Sequence, residues 1–519
     1  MLDVTPLFRV YARRRLARLV REDPVAAQAR TLAALIRRAR ATAFGREHGF
    51  ERIATPRDFA TTVPLRRYDD FWTSYWKARF PTLRDVTWPG RIPFFAVTSG
   101  TTTGVTKYIP CSWDMVRANR RAAADVLIHH LANQPRSRVL GGKSLLLGGS
   151  TALTRLAPGV ASGDLSGIAA ATAPWWARPW QFPARALALE ADWERKIERL
   201  ARDGLARDVR SVSGVPSWLL VLIDRMDTLA PKARRRLAVF WPNLELVVHG
   251  GVNFAPYRAQ FHGLLEGSRA ETREVYAASE GFIAVADRSD GEGMRLILDN
   301  GLFFEFVPVA DLGAARPTRH WIADAEVGID YALVVTSSAG LWAYVLGDTV
   351  RLVGRDPARL VVSGRTSYSL SAFGEHLIAE EVEDSVAVAA VAAGLTVVDY
   401  VVGAVVPERA GELGHHRFVV EFAPSLPTRD ALVAFALALD DALAATNDDY
   451  KAHRAGGVGM EPPRVLAVAP GAFASWLASR GQLGGQHKVP RLIADRSLLD
   501  GLLAFVDSQG FAGDNATRL

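Results

Sequence analysis

The chain has 519 residues, 49% of them hydrophobic and 23% charged, with ordinary glycine and proline content. That is material for a large buried core in two to four domains, and it excludes a disordered, collagen-like or coiled-coil protein. A net charge of +7 is too small for this length to argue for nucleic acid and suits an anionic small substrate; the single cysteine, Cys111, excludes a disulfide framework or a cysteine-rich metal site and points to a reducing, cytoplasmic setting.

From Met1 to Asp23 the pattern is amphipathic and arginine-rich (Arg13, Arg14, Arg15, Arg18, Arg21), without the apolar core of a signal peptide. It suits an anionic membrane surface, but the favoured reading is a solvated helix with Leu16, Leu19 and Val20 packed inward. The first 90 or so residues read as helices broken at Pro24, Pro56, Pro64 and Pro81. An apolar strand over Ile92–Val97 then feeds a polar glycine loop. Further strands are expected at Lys143–Gly149 and Leu244–Val248, the latter ending in His249-Gly250-Gly251, and helices at Trp218–Met226 and Ala233–Phe240. Strands alternating with helices imply an α/β class with a largely parallel sheet. Closely spaced short strands between Leu302 and Val362 suggest an antiparallel subdomain. After Gly364-Arg365 a small α+β domain is expected: a helix at Ile378–Val388, strands at Thr396–Val406 and Arg417–Phe422, and a helix at Thr428–Ala445. The apolar run Val386–Val406 contains Asp399 and Gly394, so a helix end followed by a buried strand explains it better than a membrane span. No repeat of solenoid period is present.

The most informative segment is Thr98-Ser-Gly-Thr-Thr-Thr-Gly-Val-Thr-Lys107. Hydroxyls, backbone N–H groups and a closing lysine together offer a cradle for phosphate oxygens, although the spacing is neither a P-loop nor a dinucleotide fingerprint. A serine- and threonine-rich surface turn is the plainer alternative. In Tyr276-Ala-Ala-Ser279-Glu280-Gly281 an aromatic face can stack on a base and a carboxylate can hold Mg²⁺; a helix-capping Ser-Glu pair fits as well. Tyr344-Val-Leu-Gly347-Asp348 reads as a strand ending in Gly-Asp, where a carboxylate can accept both ribose hydroxyls or simply make a turn. No Gly-x-Ser-x-Gly elbow supports serine hydrolysis. The adjacent pairs His129-His130 and His415-His416 read as surface or loop histidines without metal-ligand spacing. His249 is either a core residue or part of an acyl site, and Trp175, Trp176 and Trp180 either line a pocket or pack a long loop.

The order of these pieces, with Gly364-Arg365 and Gly485-Gln-His-Lys488-Val-Pro-Arg491 after them, resembles the adenylate-forming enzymes. The resemblance is closest to the Gretchen Hagen acyl acid–amido synthetases first described in plants. Ser213-Gly-Val-Pro-Ser217-Trp218, Trp241-Pro-Asn-Leu-Glu245, His249-Gly-Gly-Val-Asn253 and Asn447-Asp-Asp-Tyr450 extend it over roughly residues 90 to 492. Ala277-Ala278, Gly281 and Val345-Leu346 depart from the plant pattern. The resemblance implies an α/β fold: a large N-terminal ATP- and acyl-binding domain with mixed sheets (1–364), and a small α+β domain (365–519) that rotates about the hinge. It implies that Ser99, Gly100, Thr101, Thr102, Gly104 and Lys107 hold the ATP phosphates. Tyr276 would stack on adenine with Gly250, Gly251 and Val252 on its other side, beside Ser279. Glu280 would help hold Mg²⁺, Asp348 and Arg365 would bind ribose, and Lys488 would reach the acyl carboxylate and α-phosphate. The implied activity is ATP- and Mg²⁺-dependent adenylation of a small carboxylic acid, then transfer to an amine, expected to be an amino acid, with release of pyrophosphate and AMP. A coenzyme A thioester ligase and a catalytically silent ligand-binding homologue are the alternatives. No nucleic acid and no membrane span is expected.

Overall fold

A computed structural model describes the chain except at residues 1, 99–106, 149–152, 191–192, 232–234, 252–253, 255–256, 289–290, 366–368, 371–376, 406–413, 448–449, 452–453, 455–459, 481–488, 494–495 and 513–519. The chain divides into two compact units, Met1–Val362 and Ser363–Leu519.

The first unit opens with α1 (Thr5–Val20) and α2 (Pro24–Ala39). Asp23 caps α2, its carboxylate accepting the Ala26 N–H at 2.9 Å, and Pro24 occupies the first turn, where its missing N–H costs nothing. A hairpin follows, β1 (Phe94–Thr98) and β2 (Lys107–Cys111), antiparallel with Thr98 opposite Lys107. Then come α3 (Trp113–Asn133), β3 (Lys143–Leu147), α4 (Trp193–Leu205), β4 (Val209–Gly214), α5 (Pro216–Leu229), β5 (Leu246–Gly250), β6 (Glu271–Ala278), β7 (Gly281–Val285), β8 (Met294–Leu296), β9 (Leu302–Pro308), β10 (Asp330–Ser337), β11 (Tyr344–Arg355) and β12 (Ala358–Arg365). One twelve-stranded sheet runs His320–Trp321, β9, β10, β11, β12, β8, β7, β6, β5, β4, β3, Gln181–Phe182. From β3 to β6 the neighbours are parallel, with α4 and α5 in the connections, and beyond β6 the pairs β6–β7, β7–β8, β8–β12, β9–β10 and β10–β11 are antiparallel. The antiparallel strands expected after Leu302 therefore continue the same sheet and form no subdomain of their own. The helix expected over Ala233–Phe240 is a single turn, Leu237–Phe240, among the described residues.

The N-terminal helices are fixed to the antiparallel half by aromatic packing. Phe44 stacks between Phe71 and Trp342, with ring centroids 6.0 and 5.9 Å away, and Trp76 stacks on Phe71 at 5.0 Å. All four are fully buried, each such side chain contributing about 1.5–3 kcal/mol on leaving water. The buried Gln28 amide donates to the Leu298 and Leu302 carbonyls and accepts from the Phe304 N–H, so α2 is tied to β9 with no polar atom stranded. Cys111, at the end of β2, is buried, and burial pushes its thiol up to about 12.

In the second unit, α6 (Ala379–Ala393) ends at Gly394, in the left-handed region at φ 64°, which lets the chain turn into β13 (Thr396–Val405). The run Val386–Val406 is thus a helix end and a strand, and no helix among the described residues is long and apolar enough to cross a membrane. β14 (His415–Ala423), α7 (Arg429–Thr446), β15 (Arg464–Val468), α8 (Ala472–Ser479), β16 (Leu492–Ile493) and α9 (Arg496–Ser508) complete the unit, with sheet order β15-β14-β13-β16. Alternation sorts the strand residues: Tyr400, Val402, Phe418 and Val420 pack with α6 and α7, whereas Val401 and Val419 pack with α8 and α9. Both faces of this sheet are covered.

Candidate active site

Lys107 opens β2 opposite Thr98, the last residue of β1. The Lys107 Nζ lies 5.7 Å from the centroid of the Tyr68 ring, a cation–π distance. Tyr68 begins the short helix Tyr68–Phe71, its hydroxyl accepts the Tyr108 N–H at 3.0 Å, and burial pushes the phenol up to about 12. The chain just before it lies along the start of β11. Arg66 N–H donates to the Ala343 carbonyl at 3.0 Å, and Val345 N–H donates to the Arg66 carbonyl at 2.9 Å. The N-terminal helices thereby carry Tyr68 to a place between the hairpin lysine and Tyr344.

Glu280 and Asp348 are both buried. Ser279-Glu280 is the two-residue turn between β6 and β7, with Ala278 opposite Gly281. The motif is a hairpin tip and not a helix cap. Tyr344 hydrogen-bonds Glu280; burial first, and then that carboxylate, raise the Tyr344 phenol well above its usual value, which keeps it a donor. Tyr68 and Asp69 act on the same phenol electrostatically. The Tyr276 hydroxyl, from the middle of β6, donates to Asp348 Oδ2 at 2.5 Å. Two tyrosine–carboxylate pairs therefore cross between the same two stretches of chain, one tyrosine and one carboxylate coming from each.

Asp348 does not end a strand. Between Ala332–Thr349 and Val334–Val345 the register of β10 and β11 shifts, so Leu346-Gly347-Asp348 bulges out of the ladder. Gly347 has φ 94°, which a side chain would strain. The bulge breaks the strand's alternation and aims Asp348 at Tyr276. Gly250 is set by close approach: β5 runs parallel to β6 with Gly250 opposite Val275, and a Cβ there would collide with the Val275 carbonyl oxygen. Gly251 follows at φ 81°. The two glycines thus open the backbone beside Tyr276.

The structure brings Lys107 to Tyr68, Tyr344 to Glu280, and Tyr276 to Asp348 and to the Gly250-Gly251 edge. Ser99, Gly100, Thr101, Thr102, Gly104, Val252 and Lys488 lie outside the described residues, as does the side chain of Arg365, the last residue of β12. Tyr68 was not legible as a site residue, since nothing in Arg-Arg-Tyr-Asp-Asp sets it apart. Tyr344 could have been found from its four-residue spacing to Asp348.

Other expectations need correction. His129 and His130 are buried because α3 lies between α1 and the sheet. His130 Nδ1 meets Glu271 at 2.6 Å and Nε2 meets the Ser137 hydroxyl at 2.9 Å. His415 and His416 are buried because both faces of the β14 sheet are covered, so adjacent residues are enclosed on opposite sides. Trp175 and Trp176 do not pack a loop; they are 77% and 62% exposed. Arg491, Asn447 and Tyr450 make contacts within the second unit. Arg491 donates to Glu383 at 2.6 Å, and Asn447 bridges Glu381 and the Tyr450 N–H.

A twelve-stranded mixed sheet joined to a smaller helix-covered unit is the fold of the adenylate-forming enzymes. A 2-hydroxyisobutyryl-CoA ligase in its postadenylation state superposes with a TM-score of 0.60 at 16% identity, over 92% of this chain and 91% of that one. The AtGH3.15 acyl acid amido synthetase in complex with 2,4-DB is nearer, with a TM-score of 0.78 at 19% identity over 100% of this chain and 98% of that one. The chain belongs to the GH3 family: the family's N-terminal domain matches residues 14–168 and 160–270, its central domain 295–365 and its C-terminal domain 380–497. Among curated relatives, indole-3-acetic acid-amido synthetase GH3.3 of Arabidopsis thaliana is 25% identical over 293 residues, 52% of this chain and 47% of that protein. The GH3.8 enzyme of Oryza sativa subsp. indica is 28% identical over 297 residues, again 52% and 47%. The chain spans about half the length of these curated relatives.

Proposed function

We propose that the protein is an AMP-forming acyl acid–amido synthetase, which activates a small carboxylic acid with ATP and passes the acyl group to an amine, in our reading an amino acid. The observation that carries this reading is the crossed pair Tyr276–Asp348 and Tyr344–Glu280, next to the Lys107–Tyr68 contact. In it, Asp348 and Arg365 take the ribose hydroxyls, and Tyr276, beside Gly250 and Gly251, backs the adenine. Lys107 and the hydroxyls of Ser99, Thr101 and Thr102, with the backbone of Gly100 and Gly104, hold the phosphates. A buried carboxylate fixed on a hairpin tip by a phenol suits a hard cation, so Glu280 is the residue that would hold Mg²⁺. Bound there, Mg²⁺ would screen the phosphate charge and orient pyrophosphate as a leaving group. The remaining work is positioning and charge stabilisation around an in-line displacement at the α-phosphate. Lys488 supplies a cation for adenylation in this reading, and movement about Gly364-Arg365 separates the two half-reactions. A cytoplasmic setting, with ATP and a reducing medium, accords with the lone buried thiol.

The test is a pyrophosphate-release screen across carboxylic acids, beginning with indole-3-acetic acid because relatives are named for it, each tried with amino acids and with coenzyme A. Release that needs acid, ATP and Mg²⁺, with AMP accumulating and an amide formed, is the expected result. ADP with inorganic phosphate would sink adenylation. Turnover only with coenzyme A would replace the amide reading by the thioester ligase, which the 2-hydroxyisobutyryl-CoA ligase fold keeps in view.

A further inference from the structure

We infer that the outer face of α1, with the neighbouring turn Trp175–Trp180, is a docking surface for an anionic lipid membrane. The α1 segment holds five arginines and no acid. Two of the five are spent on the fold: Arg15 forks to Asp125 and Asp299, and Arg9 donates to the Leu131 and Ser137 carbonyls. Thr5, Ala12 and Leu19 are buried, and Phe8 and Leu16 pack beside them against α3. What faces outward is ordered along the helix. Leu7, Val10 and Tyr11, at i, i+3 and i+4, form an exposed apolar end; one and two turns further on the same stripe reaches Arg14, Arg18 and Arg21. Arg18 reaches Asp299 at 3.2 Å although it is largely exposed, whereas Arg13, Arg14 and Arg21 have no acidic partner among the described residues. Val20, expected to pack inward, is 72% exposed. At the apolar end, Leu2 is exposed and its carbonyl accepts the Trp180 indole N–H at 3.2 Å, which ties the turn bearing Trp175 and Trp176 to the start of α1.

The mixture selects the partner. Unpaired arginines call for an anionic surface, and a second copy of the chain would set like charges against each other. A nucleic acid would use the arginines but gain little from exposed leucine, valine and paired tryptophans. Those side chains suit the boundary between lipid headgroups and acyl chains, where tryptophan concentrates and a basic, half-apolar helix lies flat. The inference is independent of the proposed reaction.

The experiment is co-sedimentation of the full chain with vesicles of phosphatidylcholine mixed with an equal part of phosphatidylserine, against pure phosphatidylcholine. Binding to the mixed vesicles should be strong, at least about tenfold weaker on pure phosphatidylcholine, and should fall as salt is raised. The variant R13Q/R14Q/R21Q should lose about a hundredfold in partitioning, near one order per one or two charges. L7S/V10S should lose about tenfold while retaining its affinity for heparin, a polyanion without an apolar phase. Thermal midpoints read alongside establish that the variants are folded; if one is not, Leu7→Ser alone and the salt series carry the test. No binding to mixed vesicles, equal binding to both compositions, or full binding by the arginine variant would overturn the inference. So would L7S/V10S that binds mixed vesicles as the wild type does, since the face would then be a plain polyanion site.

Discussion

The candidate site and the second unit hold their carboxylates in different ways. At the candidate site Glu280 is oriented by the Tyr344 hydroxyl and Asp348 by that of Tyr276. In the second unit Asp440 takes a two-pronged guanidinium from Arg454 at 2.9 and 2.6 Å, Glu383 takes Arg491, and Glu421 accepts the Gly471 and Phe473 N–H groups at the start of α8. A phenol fixes the direction of a carboxylate without cancelling its charge, whereas a guanidinium does both. The first device suits a group that must meet a cation or a sugar hydroxyl from outside; the second suits scaffolding.

The largest effect expected is one that would show the second unit to be more than scaffold. Lys488→Ala should slow adenylation by about a hundred- to a thousandfold, the usual loss of one preorganised donor of charge stabilisation. Aminolysis of a supplied acyl-adenylate should be largely spared, and paired single-turnover rates on the folded variant measure both; equal losses would return Lys488 to a structural part. Next, Asp348→Ala should raise the ATP Michaelis constant while chemistry on bound ATP continues. Charge-assisted hydrogen bonds are worth about 1.5–3 kcal/mol each, and the ribose does not change in the reaction. An unaltered constant would leave the bulge a purely structural feature.

Acid should act on both units through their histidines. Burial, then the positive field of Arg295 and Arg273, lowers His129 to about 3, and burial, then Arg464 and Arg417, lowers His415 to about 4. Each binds a proton in the unfolded chain from near 6.5 downward but in the folded one only at its lower value, so stability is lost as pH falls through that window. For His129 the loss at pH 5 is about 2 kcal/mol. Denaturant midpoints from pH 7 to 5 should therefore fall more steeply for the wild type than for His129→Gln, and parallel slopes would rule out a neutral core histidine. The smallest effect is the sharpest probe of the phenol device. Tyr344→Phe should raise the Mg²⁺ needed for half-maximal pyrophosphate release by about tenfold, with the rate recovered at saturating Mg²⁺, as for other residues that orient a metal-binding group. A lower rate at every Mg²⁺ concentration would instead assign Tyr344 to packing.

Much of this was legible in the letters because it is local. The strand before the hydroxyl loop, the Gly250-Gly251 edge after a buried strand, and the helix end and strand hidden in Val386–Val406 follow from periodicity and glycine placement within a few residues. What escaped depends on distant partners or on how many faces are covered. Tyr276 and Asp348 are 72 residues apart and meet only through the bulge at Gly347. Tyr68 reaches Lys107 because aromatic packing seats the N-terminal helices on the sheet. The histidine pairs looked exposed because adjacent polar residues usually include an outward one, and neither α3 nor β14 has an outward side at those positions.

The buried thiol of Cys111 has a practical use. A sulfhydryl pushed up to about 12 and sealed from solvent carries almost no thiolate at neutral pH, so maleimide dyes should pass it by. The natural sequence is therefore already a blank background for site-specific labelling. Cysteines introduced at the exposed Val239 in the first unit and Val391 in the second would take a donor and an acceptor dye. Energy transfer between them would then record, molecule by molecule, whether the two units change their separation when ATP, acid and amine are added in turn.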